Sequence, residues 1–278
     1  MKTLFTSVVL LIVSGNIAFA EDVPGYTDTP FAAQDVRKET VHLFNGKNLD
    51  GWYTFLRSKG KNNDPGKVFS VQDGLLKISG EEWGCITTNN EFQNYSLEIE
   101  FKTGTKTYPP RTKSAFDSGL LIHSAGEDGA FSKAWMRSIE CNIIDGGCGD
   151  FIVVALPGDE EKFSLTTTVA PPSKPQPKGG LDYDPDGIET TIHSGRINRI
   201  GRDHDWQDVA AFRGKDEIEK EHGEWNTMKC VAQGDTITVF LNGKFVNKAT
   251  QVKPQKGRIQ IQSEGAEYFF KRVDLTPL

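Results

Sequence analysis

Tyr95-Ser96-Leu97-Glu98-Ile99-Glu100-Phe101-Lys102 alternates apolar and polar side chains at every step. Successive side chains of an extended chain point to opposite faces, so this period of two predicts a strand. Tyr95, Leu97, Ile99 and Phe101 take the buried face, and the charged residues take the wet one. Asp235 to Leu241 repeats the pattern with Ile237, Val239 and Leu241 inward, then turns through Asn242-Gly243 into Lys244 to Lys248. An Asn-Gly pair between two such runs is a strong two-residue hairpin signal.

Working outward, similar runs stand at residues 68–71, 75–79, 118–124, 151–156, 164–169, 225–232, 258–263 and 268–275, separated by Gly, Asn, Asp and Pro turns. A single flat sheet of a dozen or so strands would leave long open edges. The expected fold is therefore all-β, a two-sheet antiparallel jelly-roll sandwich. Four prolines fall within residues 170–180, read as a surface loop because strands of the same style flank it. Only Asp216 to Glu221, rich in Glu and Lys, suggests a helical turn.

One strand-like run breaks the rule for buried strands. Ser138-Ile139-Glu140-Cys141-Asn142-Ile143-Ile144-Asp145-Gly146-Gly147-Cys148-Gly149-Asp150 carries Glu140, Asn142 and Asp145 among apolar residues. Alternation puts Glu140 and Asn142 on one face, and a bulge at Ile143-Ile144 would bring Asp145 to the same side. Burying a carboxylate without a partner costs several kcal/mol, so such a row needs partners, a metal or a wet cleft, and a sugar-binding cleft is one such place. The plainer alternative is that the two acids bridge to arginines such as Arg137 or cap the turn at Gly146-Gly147.

The bulk numbers narrow the classes. The chain has 278 residues and a formal net charge of -6, which leaves no basic field for a phosphate backbone and argues against nucleic acid as a partner. Lys2, the apolar run Val8 to Val13 and Ala18-Phe19-Ala20 before Glu21-Asp22 have the layout of a secretory signal peptide over residues 1–20. No Cys follows the cleavage site to take a lipid. No later stretch approaches the roughly 18 apolar residues of a spanning helix, so no membrane insertion is expected. The layout implies export to the periplasm or beyond the cell, an N-terminal extension over residues 21–40 and one β domain over residues 41–278. In an oxidising compartment Cys85, Cys141, Cys148 and Cys230 permit three pairings, which the sequence leaves open. No Cys-x2-Cys spacing suggests zinc, and although Asp and Glu near Gly-rich turns suit calcium, no spacing names metal ligands, so the cofactor stays unknown.

Several motifs carry a resemblance in order along the chain. They are Leu43-Phe44-Asn45-Gly46-Lys47-Asn48-Leu49-Asp50-Gly51-Trp52, Asp73-Gly74, Asp117-Ser118-Gly119-Leu120, Glu140-x-Asn142-Ile143-x-Asp145, Gly223-Glu224-Trp225-Asn226, Leu241-Asn242-Gly243, and the closing stretch from Gly257 through Gln262 to Val273. Together they resemble the 3-keto-disaccharide hydrolase domain family over roughly residues 41–275. The resemblance implies a concanavalin A-like sandwich and action on 3-keto sugars. This chain departs from the family's pattern at Asp117, where Asn is usual, at Asn142, where Gln is usual, and at His123, where Arg is often found. The insert from His193 to Phe212 suggests a rim of its own, with Arg196, Arg199, Arg202, His204 and Trp206.

The substrate expected on these grounds is a carbohydrate or keto-sugar. A ketone at C3 acidifies the C2 proton, a base removes it, the bond to the C1 oxygen breaks by elimination, and water adds back. Glu140 is the expected base, Asp145 or His123 the acid toward the leaving oxygen, and Asn142, Arg137 and Gln262 the groups holding the enolate and hydroxyls. Trp135 and Trp206 are the expected sugar platforms, with His204 at the rim, while Trp52, Trp83 and Trp225 read as core anchors. Two alternatives remain: a retaining laminarinase-type hydrolase with Glu140 and Asp145 as the carboxylate pair, and a noncatalytic lectin-like module. Each side residue also has a plainer reading: His123 as an ordinary strand-end histidine, Arg137 as the partner of Glu140, Gln262 as a solvent-facing glutamine.

Overall fold

The alternation at Tyr95 becomes the strand Tyr95–Thr107, the longest among the described residues, in a computed structural model that describes residues 38–171 and 180–278. The expected signal peptide, most of the expected N-terminal extension and residues 172–179 of the proline-rich loop lie outside the described residues. Two sheets form. In strand order the first runs Ile188–Ile192, Ser164–Val169, Lys244–Lys253, Thr236–Leu241, Asn226–Gln233, Tyr95–Thr107, Ala266–Pro277, Leu75–Ile78 and Phe69–Gln72, with Val41–His42 also on Ala266–Pro277. The second runs Leu181–Asp182, Gly195–Asn198, Phe151–Val154, Arg137–Ile144, Asp117–Ala125, Arg258–Ser263, Gly84–Thr88, Trp52–Leu56 and Gly60–Lys61. Every pairing is antiparallel except Leu181–Asp182 beside Gly195–Asn198. This is the all-β, two-sheet architecture expected from the period of two.

The inner faces make the core. Tyr95, Leu97, Ile99 and Phe101 are buried in one cluster with Ile139, Cys141, Ile143, Phe151 and Val153 of the other sheet. Burying an aliphatic or aromatic side chain of this size contributes about 1.5–3 kcal/mol, which is what holds the sheets face to face. The hairpin at Asn242-Gly243 has φ of 49° and 79°, the left-handed pair that a two-residue turn of this hand requires, and it pairs Leu241 with Lys244.

Two local expectations are corrected. The strand Arg137–Ile144 pairs with Asp117–Ala125 in unbroken register from Ile144 opposite Asp117 to Ile139 opposite Ile122, so no bulge exists at Ile143-Ile144. The register shifts instead between Ile122 and Ala125, where His123 takes φ of 53°. The helical turn expected at Asp216 to Glu221 is absent. Glu217 accepts from the backbone N–H groups of Ile218 and Glu219 and from Arg199 Nη2 at 2.7 Å, so carboxylates rather than backbone carbonyls satisfy that loop.

Candidate functional site

Because Ile139, Cys141 and Ile143 face the core, their neighbours Glu140 and Asn142 emerge on the outer face of the second sheet. A cavity of about 200 Å³ opens there, lined by Arg111, Asp117, Phe131, Trp135, Glu140, Asn142, Ile152, Val154, Arg196, Gln262 and Glu264. Four sequence-predicted residues therefore meet: Glu140, Asn142, Gln262 and Trp135. Gln262 arrives from Arg258–Ser263, two strands from Arg137–Ile144, and donates from Nε2 to Glu140 Oε2 at 3.5 Å. Between them runs Asp117–Ala125, and the crossing is possible because residue 119 is glycine. A Cβ there would stand 2.4 Å from Gln262 Oε1 and 2.5 Å from Glu140 Oε1.

The polar groups in this cavity are incompletely satisfied by protein. Glu140 is 5% exposed, and Asn142 Oδ1 and Gln262 Oε1 are buried acceptors with no hydrogen-bond partner in the protein. Buried polar atoms are normally paired, so two unpaired oxygens beside a carboxyl mark a place where hydroxyl donors can bind. Burial, with the charge of Asp117 as the next cause, pushes the Glu140 carboxyl up to about 8, against the pull of Arg196. Trp135 stacks between Trp83, 5.3 Å away between centroids, and Phe131 at 6.5 Å, and its Nε1 donates to Gly84 O at 2.9 Å. It is an aromatic wall fixed from behind. Trp83, expected as a core anchor, is part of the same ledge.

Sequence reasoning missed the charges that frame the cavity. Arg196, noticed only as part of an insert, sits on the strand Gly195–Asn198 and is held at 2.7 Å by Asp150, a fully buried carboxylate that also accepts from Arg202 and from Arg199 N. Arg111 pairs with Asp117 at 3.0 Å and with Asp208 at 3.3 Å. The alternating pattern at Gly195–Asn198 is four residues long, too short to announce a strand, and its outward arginine was the available signal.

Other predicted residues lie elsewhere. Asp145 follows the strand's end in a turn, where Oδ2 accepts from Phe116 N at 2.8 Å and Ala211 N at 2.9 Å, and Oδ1 lies 2.7 Å from His222 Nε2. The adjoining hollow is about 20 Å³, too small for a sugar. Glu140 and Asp145 therefore share no cavity, so Asp145 does not stand as the acid beside Glu140, nor do the two form the carboxylate pair of the retaining alternative. His123 is buried, its Nδ1 is 2.7 Å from Pro254 O and its ring meets Tyr95 edge-on at 5.9 Å, so burial drops it to about 4 and keeps it a neutral interior histidine. Arg137 pairs with Asp159, not with Glu140. Trp206 is buried, with Nε1 donating to Asp145 O at 2.7 Å, and His204 pairs with Asp182 at 3.0 Å. Neither lines the Glu140 cavity: Trp206 packs at the turn of Asp145, and His204 is held by the strand Leu181–Asp182.

Larger hollows of about 360 and 560 Å³ lie along Thr166–Thr168 and beside Lys102 and Phe269. Their carboxylates are an exposed Glu189 and a Glu267 held by Lys77 at 3.2 Å, so neither repeats the buried, partly paired acid of the first cavity. Among the described residues no group of three or more His, Cys, Asp or Glu side chains stands ready to hold a metal, and no helix is long and apolar enough to cross a membrane.

Among known families, the 3-keto-alpha-glucoside-1,2-lyase-like domain matches residues 39–276. No curated protein matches the chain. Among solved structures, two Parabacteroides distasonis proteins named only provisionally as glycosyl hydrolases are 18% and 20% identical, over 86% of this chain and 94% and 100% of theirs, with TM-scores of 0.49 and 0.47. A Bacillus licheniformis β-glucanase is 11% identical over 88% of this chain and 100% of its own, with a TM-score of 0.41.

Proposed function

The chain belongs to the family of the 3-keto-alpha-glucoside-1,2-lyase-like domain, and from that membership we propose that it cleaves the glycosidic bond of 3-keto-glycosides by elimination, with Glu140 as the base. The observation that carries this reading is Glu140 itself, a buried carboxyl raised to about 8 beside two unpaired amide oxygens in an outer-face cavity. An acid/base group works best when its pKa lies near the working pH, and a carboxyl ordinarily sits far below it.

The chemistry follows from the ketone. Glu140 takes the C2 proton, the electron pair moves toward the C3 oxygen, and the enolate then expels the C1 oxygen with its aglycone. Protonated Glu140 is the acid at hand to return the proton to the departing oxygen, since Asp145 and His123 lie outside the cavity. Water adds across the resulting double bond to give the free 3-keto sugar. Arg196 is the cation of the strand face and opposes the charge developing at the C3 oxygen, a role first expected for Arg137. Asn142 Oδ1 and Gln262 Oε1 accept from ring hydroxyls, and Trp135 backs the ring. Drug-sized pockets hold roughly 300–1,000 Å³, so a hollow of about 200 Å³ takes the oxidised ring and leaves the aglycone outside.

The leader-like residues 1–20 make export to the periplasm or beyond part of the same proposal. The test is to incubate the mature protein with a glucoside and with its 3-keto derivative in parallel. Cleavage of the oxidised sugar alone, lowered about 10²–10⁴-fold in Glu140→Gln, is the expected result. Turnover of the unoxidised glucoside, or unchanged turnover in the variant, would overturn the assignment.

A further inference from the structure

Cys141 and Cys230 face each other across the core from opposite sheets, Cys141 on Arg137–Ile144 and Cys230 on Asn226–Gln233. Both are 0% exposed, and their Sγ atoms are 3.2 Å apart. Among the described residues no other two cysteines are in such contact. Cys85 Sγ is occupied by Gln260 Nε2 at 3.2 Å and Ala134 O at 3.5 Å, and Cys148 Sγ by Ile144 O at 3.5 Å. A sulfur–sulfur bond is about 2.05 Å long, so closing this pair asks for a shift of little more than an ångström and no change of strand register.

We propose that Cys141 and Cys230 are an oxidation site that closes into a disulfide tying the two sheets together. The two thiols lose their protons and the sulfurs join. The two electrons pass to a disulfide oxidant, a small molecule or a thiol–disulfide exchange protein, whose own S–S bond opens to two thiols. Exchange needs a thiolate that an oxidant can reach. The bond therefore forms while the sheets are still closing, in a compartment that supplies such an oxidant, as the leader-like N-terminus would require.

The two cysteines are 89 positions apart in sequence, so the bond closes a long loop and restricts the unfolded chain strongly. It also bears on the cavity. Cys141 lies between Glu140 and Asn142 on the opposite face of the same strand, so the bond anchors from behind the segment that carries both groups. Nothing in this inference depends on the proposed sugar chemistry.

The test is to refold the full chain from denaturant with oxidised glutathione, block free thiols in denaturant without reductant, and map the digest by mass. The expected result is a peptide containing Cys141 joined to the one containing Cys230, with Cys85 and Cys148 alkylated, and a thermal midpoint that falls on reduction. Four alkylated thiols, glutathione adducts in place of the linked peptides, or a link between any other two cysteines would overturn the proposal. A Cys85→Ala/Cys148→Ala variant, carrying only the pair, should give the same linked peptide, and the wild-type map decides the matter if that variant does not fold.

Discussion

Glu140 passes over Gly119, whose missing side chain leaves the room that Glu140 Oε1 and Gln262 Oε1 occupy; a Cβ would meet them at 2.5 and 2.4 Å. The glycine has ordinary strand geometry and pairs directly with Asn142. It is thus required by close approach of the two site side chains, not by backbone conformation. Gly119→Ala is expected to cost about 1–3 kcal/mol by overpacking and to break the Gln262–Glu140 contact. Urea unfolding should show the first, and turnover of a 3-keto-glucoside the second. A variant with full stability and full activity would mean that these side chains do not need that crossing.

The raised carboxyl of Glu140 also predicts how stability depends on pH. Its folded value is about 8 against an ordinary 4.5, so between those pH values the folded state holds a proton that the unfolded state has released. The contribution is fully present below about pH 4.5 and is lost as pH rises through about 8. Glu140→Gln removes the titration while keeping the shape. The variant should be more stable than wild type at pH 9, by on the order of a few kcal/mol, with the gap shrinking to little at pH 4. Denaturation midpoints at the two pH values measure this, and parallel curves for the two proteins would refute a buried, raised Glu140.

His222 gives a second titration at the other acid. Its hydrogen bond to Asp145, 2.7 Å long, raises the imidazole above its ordinary value of 6.5 against the opposing effect of burial. A base whose folded pKa is raised stabilises below the unfolded value, and that contribution disappears as pH climbs past the folded one. In a Glu140→Gln background, where the titration near pH 8 is gone, unfolding free energy should fall as pH rises above 6.5, with both His222 and the Glu219 carboxyl, which burial pushes up to about 7, contributing. Adding His222→Gln should reduce that slope, and His222→Gln alone should leave the cavity's activity in place. Retention of the slope in the double variant would assign it to another group.

What was legible in the sequence was whatever one strand decides for itself. Glu140 and Asn142 could be placed on a common face because parity along an extended chain is a local property, and Ile139, Cys141 and Ile143 fix that parity by seeking the core. Asp145 could not, because the strand ends at Ile144 and the turn that follows, with Gly146 at φ of 72°, obeys no period of two. The orientation of His123 is not legible for the same reason, since the register shift beside it turns its ring inward, as its plainer reading as an ordinary histidine allows. Arg196 and Gln262 reach the cavity through strand order, a long-range property that no window of sequence contains. The aromatic wall is half visible in the sequence: Trp135 stands in polar, loop-like surroundings, but its stack on Trp83 depends on a loop far from it in the chain.

Arg196 supplies the last prediction. Its guanidinium lines the cavity and, ahead of the hydrogen bond from Gln262, lowers the Glu140 carboxyl against burial and Asp117. Asp150 fixes it in place and keeps Arg202 as a partner if Arg196 is removed. Arg196→Met keeps much of the apolar stem and deletes the charge. Two effects should appear together. The rising limb of kcat/KM against pH, set near 8 in wild type by ionisation of Glu140, should move to higher pH, because the carboxylate has lost the cavity cation that lowers it. At pH values above that limb the rate should still fall about 10²–10³-fold, because the enolate oxygen has lost a fixed positive charge. Initial rates with a 3-keto-glucoside over the pH range separate the two effects. A lower rate with an unmoved limb would leave Arg196 as a substrate contact that does not act on Glu140, and an unchanged rate would remove it from the reaction.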